Sequence, residues 1–190
     1  MENTVLECIK SRRSVRQYMA RKLTKAQIQT LLEAAVWAPS GSNHQSWQFT
    51  AIQNKDILSA LNEVVKSRLP YIKEEMPAQT KVKARCQESG YNFYYNAPVL
   101  IVASNIPHYP NAMADCALAL QNIFLVAQEM GLGSCWINQL HWLEEDPAVR
   151  DFLSDLGIAR ERVICGAAAV GYPANRPQPP ARKPGTTWII

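Results

Sequence analysis

No two of the five cysteines, at positions 8, 86, 116, 135 and 165, stand in a CxxC pair. An odd set of scattered thiols gives neither a disulfide framework nor a zinc knuckle, and fits reduced structural thiols in a cytoplasmic protein. The three histidines have no metal-ligand spacing, so no metal site is expected. No apolar run approaches the roughly 18 residues that a membrane span needs. The first residues, MENTVLECIKSRRS, are charged and amphipathic rather than a secretory leader. Charge is sparse too, at 19% with a net of +4, which gives no electrostatic ground for a nucleic-acid partner. Nor are the aromatic residues interleaved with the basic ones, as a single-strand binder would require. There is no GxxxxGK[ST], no GxGxxG behind a strand, and no Ser/His/Asp or Cys/His nucleophile pattern. Those absences weigh against a P-loop enzyme, a Rossmann dehydrogenase and a hydrolase.

What is present is core-forming material: 47% of the 190 residues are apolar, enough for one domain spanning 1–190. The longest signal is Ala112–Met130, free of Pro and Gly, rich in helix formers and apolar most of the way round. A helix of that kind is normally buried on most sides, either by its own domain alone or by a second subunit as well. Gly131 is placed to end it, and Ser134–Ile137 then reads as a short buried strand. APVLIVAS (97–104) and RVICGAAAVG (162–171) are continuous apolar runs expected as central strands, and Trp47–Gln53 alternates as a third. Further helices are expected at Thr4–Ser11, with Val5, Ile9 and also Cys8 as candidates for its inner face, and after a Thr24-x-x-Gln27 capping box. Asn54 is placed to cap a helix running to Leu69, and Glu144–Leu156 carries Pro147 in its first turn. The polar stretch 70–96 holds a helical excursion from about Pro77 to Gly90. From Tyr172 the chain becomes a proline-rich arm, about 173–190, ending in the apolar Thr187-Trp188-Ile189-Ile190. Such an arm either reaches another surface or docks on its own.

Three polar groupings could carry chemistry. Arg12, Arg13, Ser14 and Arg16 fall within one turn. Guanidinium groups bind phosphate bidentately, although the same residues also suit a solvated helix end. Arg182 and Lys183 repeat the theme near the other terminus, and the amide- and hydroxyl-rich loop Ser40–Gln45 could read the edge of a polar heterocycle, although surface loops are polar in any case.

The order of these pieces is specific in combination. RRSVR, then APSGSNHQSW, NAPVLIVAS, a buried helix into GLGSCWIN, AAAVGYP and a terminal Arg-Lys-Pro resemble the nitroreductase family over nearly the whole chain. The resemblance implies an α+β fold with a central, mostly antiparallel sheet between helical layers, in an intertwined homodimer that binds FMN at the subunit interface. It implies reduction of nitroaromatic, quinone or related organic acceptors by NADH or NADPH. By position, Arg12, Arg13, Ser14 and Arg16 would hold the FMN phosphate, ribityl chain and pyrimidine edge. Pro39, Ser40 and Asn43 match a loop that reaches the flavin from the other subunit. Trp136, Ile137 and Asn138 match the segment beside the isoalloxazine, where a backbone N–H faces N5, and Arg182 and Lys183 match phosphate ligands on an arm that reaches the partner. No side chain is expected to be catalytic, because the flavin carries the redox chemistry. An open cleft serving donor and acceptor in turn implies ping-pong kinetics. The same fold hosts reductive dehalogenation and flavin fragmentation, and a flavin carrier or sensor without turnover is a further alternative. Gln45-Ser46-Trp47 departs from the family's frequent Gln-Pro-Trp.

Overall fold

The computed structural model describes residues 4–73, 76–183 and 185–186. Within them lie helices α1 (Thr4–Ser11), α2 (Lys25–Val36), α3 (Lys55–Arg68), α4 (Pro77–Arg85), α5 (Ala112–Glu129), α6 (Gln139–Trp142) and α7 (Pro147–Asp155). The strands are β1 (Gln48–Ile52), β2 (Val99–Asn105), β3 (Gly133–Ile137) and β4 (Val163–Gly171), ordered β1-β2-β4-β3 with every pairing antiparallel. The two most apolar strands, β2 and β4, take the centre, where both faces are covered, and every residue of β2 is buried. Alternation sends Val99 and Ile101 to one face, against Leu31, Leu120 and Ile123 of α2 and α5. Leu100 and Val102 go to the other, against Leu61 and Val65 of α3 and Val149 and Leu153 of α7. The expected α+β layering is therefore present.

One irregularity matters for the site. Between Ala103 and Ser104 the register against β4 slips, from Gly166 to Ile164, so Cys165 is the extra residue of a bulge. Ile164 and Ala167, three apart, thus reach the same core. Gly166 adopts φ 151°, and a Cβ there would stand 2.6 Å from the Trp136 ring, so the indole of β3 packs on bare backbone.

Local signals explain most helix ends. Thr24 and Gln27 exchange side-chain bonds at 3.2 and 2.9 Å, and Asn54 Oδ1 accepts the N–H groups of Asp56 and Ile57. After α5, Gly131 and Leu132 donate back to Gln128 and Ala127, a Schellman closure. Several expectations are corrected. α7 starts at Pro147, because Asp146 caps it, while Glu144 accepts the Ile164 N–H instead. The excursion helix stops at Arg85 rather than Gly90, and α6 was not foreseen. Val5 and Ile9 do not face inward: they are 62% and 46% exposed, and Cys8 is the α1 residue that turns in, 3.2 Å from the Leu125 carbonyl. Within the single chain α5 leaves Met113 and Leu118 exposed, so its own domain alone does not cover it on every side. The arm begins on its own chain, where Ala174 donates to the Gln17 carbonyl and Arg176 to that of Gly131. The terminal Thr187-Trp188-Ile189-Ile190 lies outside the described residues. No described helix is long and apolar enough to cross a membrane.

On α6, His141 Nδ1 lies 2.7 Å from the Ile164 carbonyl and 3.7 Å from Glu144. Bonding to Glu144, aided by the carbonyl and opposed by burial, raises the imidazole above its ordinary 6.5. A raised folded-state value stabilises the fold below the unfolded value, and that increment disappears as pH rises through the folded one. Thermal unfolding of wild type should therefore lose an increment above about pH 6.5 that His141→Gln lacks. Parallel pH profiles for the two proteins would dismiss the linkage.

Candidate functional site

β3 is an edge strand, and the segment Arg12–Met19 runs along its open side. Ser14 pairs with Ser134 in a parallel bridge, and the Val15 N–H donates to the Ser134 carbonyl at 2.9 Å. Gly133 permits that approach: a Cβ there would stand 2.7 Å from the Val15 side chain. Further on, Tyr18 bridges Pro173, and its hydroxyl donates to the Val15 carbonyl at 2.7 Å. Main-chain ties thus fix the basic turn to the sheet within the turn, at Ser14 and Val15, and just beyond it, at Tyr18 and Met19.

This fixing crowds like charges. Burial lowers the pKa of the half-buried Arg12 guanidinium, and the nearby charges of Arg13 and Arg182 lower it further. Arg12 lies 6.0 Å from the Phe124 ring centre. Arg13 donates one bond to the Arg12 carbonyl at 2.5 Å, yet its Nε is buried without a partner, the one such side-chain nitrogen or oxygen among the described residues. None of the ion pairs among those residues engages Arg12, Arg13, Arg16 or Arg182. Arg16 sits 5.8 Å from the Tyr95 ring. Beneath the turn, burial pushes the Cys135 thiol up, and the charges of Arg16 and Arg12 and a bond from Ser14 offset this only in part. Cys135 therefore stays a neutral thiol near pH 7.

Next to it on β3, Trp136 meets Phe124 edge-on at 6.4 Å and donates from Nε1 to Asn138 Oδ1 at 2.5 Å. Ile137 is 1% exposed in the core, so its backbone alone faces the site. The structure accordingly brings together Arg12, Arg13, Ser14, Arg16, Trp136, Asn138 and Arg182. Lys183 is exposed.

Pro39, Ser40 and Asn43 stand apart from this group. Their loop is clasped at the N-terminal end of α5: Gly41 donates to both oxygens of buried Asp115, at 3.2 and 3.3 Å, and Tyr109 donates to the same carboxylate at 2.9 Å. His44 stacks on Tyr109 at 4.8 Å. Ser42, Asn43 and Gln45 have φ of 50°, 55° and 48°, and Ser40 Oγ and Asn43 Oδ1 accept bonds from Gln45. The arginine turn, by contrast, meets the far end of α5, where Gln128 donates to Ser11. Thirteen residues of helix from Asp115 to Gln128 span roughly 20 Å.

Sequence reasoning missed Asp115, the one acid in the first turns of α5 and buried there among apolar neighbours, and that isolation was its signal. It also missed Tyr91, Tyr95 and Gln139, which with Arg16 line a cavity of about 320 Å³ under α4. The aromatic–amide run YNFYYN (91–96) marks that wall.

Comparison with known proteins identifies the family of the chain. The Nitroreductase family profile matches residues 9–172. A solved nitroreductase from Bacteroides fragilis with bound FMN is 38% identical, with a TM-score of 0.89 and 99% of each chain covered. A protein of Methanothermobacter thermautotrophicus, provisionally named NADH dehydrogenase/NAD(P)H nitroreductase, is 29% identical over 91% of this chain and 79% of its own length. The 4-nitrobenzoate reductase of Pseudomonas putida is 26% identical over 86% of this chain and 83% of its own. The chain belongs to the nitroreductase family.

Proposed function

We propose that this protein is an FMN-dependent oxidoreductase that uses NADH or NADPH to reduce nitroaromatic, quinone or related organic acceptors, and that it works as a homodimer. The observation that carries this proposal is the group Arg12, Arg13 and Arg182. Like charges crowded together, one with an orphaned buried Nε, call for an anion with several oxygen acceptors. A phosphate monoester meets that need, so the residues fit FMN. Arg12, Arg13, Ser14 and Arg182 would hold its phosphate and ribityl end, with Lys183 beside them. Arg16 would face the pyrimidine edge, where a fixed positive charge stabilises the negative charge that reduction brings. Trp136, Asn138 and the Ile137 backbone would flank the ring system. When bound, FMN supplies the chemistry, taking a hydride from NAD(P)H and passing electrons to the acceptor. The protein's own part is to bind, orient and tune, and a cleft shared by donor and acceptor leads to ping-pong kinetics.

Two features support the dimer. Pro39, Ser40 and Asn43 sit about 20 Å of helix away from the arginine turn of the same chain, so they can serve a flavin site only across a subunit boundary. In addition Val5, Leu6, Ile9, Val36, Trp37 and Leu118 are all 40% exposed or more. A groove of about 640 Å³ between α1, α2 and α5 joins part of that face, with Val5, Cys8, Ala34, Trp37 and Leu125 among its lining. So much exposed apolar surface marks an association face. The arm beyond Tyr172 would continue onto the partner past Arg182.

The cofactor is tested by releasing it with heat and separating it against standards, while NAD(P)H consumption is followed with a nitroaromatic. FMN and acceptor-dependent turnover are expected; FAD as the main species, or FMN without turnover, would overturn the proposal.

Arg12→Ala should weaken FMN binding by about 1.5–3 kcal/mol, the range for a hydrogen bond to a charged group, or roughly 10- to 150-fold. An unchanged FMN titration would return the arginine turn to a solvated helix end.

Trp37, 80% exposed at the end of α2, can be replaced without loss to the monomer core. Trp37→Glu should shift sedimentation toward monomer at least tenfold and release FMN with it. A wild-type monomer that keeps FMN would refute the interface.

A further inference from the structure

The cavity under α4 shares Arg16 with the proposed cofactor site but extends away from the phosphate-binding residues. Its charge is one-sided. Arg16, Lys81 and Arg85 line it against a single carboxylate, Glu88. That carboxylate is held by Arg85 at 3.6 Å in an exposed pair, an interaction too weak to fix either side chain. Lys81 has no ion-pair partner among the described residues. Lys81 and Arg85 stand four residues apart, one helical turn, so both project from the same side of α4.

The opposite wall is rigid. Asn62, buried on α3, accepts the Phe93 N–H at 3.1 Å and donates to the Tyr91 carbonyl at 3.4 Å. Asn92 Oδ1 accepts from the N–H groups of Tyr94 and Asn96, and Tyr95 and Asn96 are held at φ 58° and 54°. These bonds fix the Tyr95 ring against the Arg16 guanidinium, and Gln139 donates to the Tyr91 hydroxyl at 3.4 Å. One wall therefore offers preset aromatic surface and the other offers adjustable positive charge. At about 320 Å³ the space lies at the small end of ligand sites: it takes one substituted ring, and of a dinucleotide donor it would enclose only one end.

Resting on the flavin reading above, we infer that this cavity selects acceptors that are single planar rings bearing an anionic group such as a carboxylate. Lys81 and Arg85 are its specificity-determining residues. The tyrosines receive the ring, the two cations of α4 receive the anion, and Arg16 marks the boundary with the cofactor. Because those cations are exposed, the preference is electrostatic and salt-sensitive rather than absolute.

The test uses the FMN-loaded enzyme with 4-nitrobenzoate and its neutral counterpart 4-nitrobenzamide. In the double variant Lys81→Gln/Arg85→Gln, the ratio of kcat/KM for carboxylate over amide should fall about tenfold. Raising salt from 50 to 500 mM should compress the same ratio in wild type. A second readout needs no turnover: benzoate titrated into the oxidised holoenzyme, followed by flavin absorbance, should bind about tenfold more weakly to the variant, and benzamide should not distinguish the two proteins. An unchanged ratio together with unchanged benzoate binding overturns the inference. So does a loss confined to NADPH relative to NADH, which would assign the cations to the donor's phosphate. If charge-dependent benzoate binding persists but neither nitro compound is reduced, the anion site stands and the proposed activity is what fails.

Discussion

Everything at the candidate site depends on one strand pairing, the parallel bridge between Ser14 and Ser134. An edge strand left open offers a row of unpaired backbone groups, and most proteins cover or disguise such a row. Here the covering segment is the basic turn itself. Fastening it there sets Arg12 and Arg13 beside β3, where the charge of Arg182 on the C-terminal arm also acts on Arg12. The sheet thus enforces an electrostatic cost. Guanidinium groups that would separate in water are held together by main-chain bonds, Gly133 and the Tyr18 strut, and a bound anion relieves the crowding. If the cluster holds the FMN phosphate as proposed, binding energy for the cofactor is prepared by folding rather than assembled at encounter.

The bulge in β4 has a related consequence. Without Cys165 as the extra residue, Ile164 and Ala167 would point to opposite faces and Gly166 would carry no close contact. With it, the Trp136 ring rests on the Gly166 backbone and meets Phe124, the same ring that lies under Arg12. A structural defect in the central sheet and the cation cluster at its edge are therefore linked through two aromatic side chains. Substituting either would be felt at the arginines.

Much of the fold was legible because it rests on short-range rules. The Thr24 and Asn54 caps, the Gly131 closure and the two apolar central strands each follow from residues within one turn or one run. The arginine turn and Trp136–Asn138, singled out by the order of motifs, do lie together in the fold, while their role stays part of the proposal. What could not be read depends on which surface covers which. Periodicity says that Val5 and Ile9 share a face of α1, but not whether that face meets the chain's own core or a partner. Likewise the apolar sweep of α5 did not reveal that Met113 and Leu118 would be left exposed. The bulge and the seating of Asn62 are set by pairings tens of residues apart, and local sequence carries no trace of them. Asp115 was overlooked because a lone acid early in a helix reads as a helix-dipole partner.

Asp115 also explains why an exposed loop is so tightly specified. Non-glycine residues at positive φ cost on the order of 1–3 kcal/mol each and persist only where the surroundings over-determine them. The loop from Pro39 to Ser46 holds three, at Ser42, Asn43 and Gln45, and Ser42 and Asn43 are exposed, contributing nothing to the core of their own chain. The buried Asp115 carboxylate in the first turn of α5, the Tyr109 hydroxyl just before it, and the loop's own His44 stacked on Tyr109 hold that conformation. Strain maintained on a surface with no internal packing return makes sense when the shape itself is used by another molecule. The same helix holds the arginine turn at its other end. In the proposed homodimer α5 would be a spacer of fixed length between two half-sites, and a rigid spacer of that kind would let two copies of one chain complete each other's site in register.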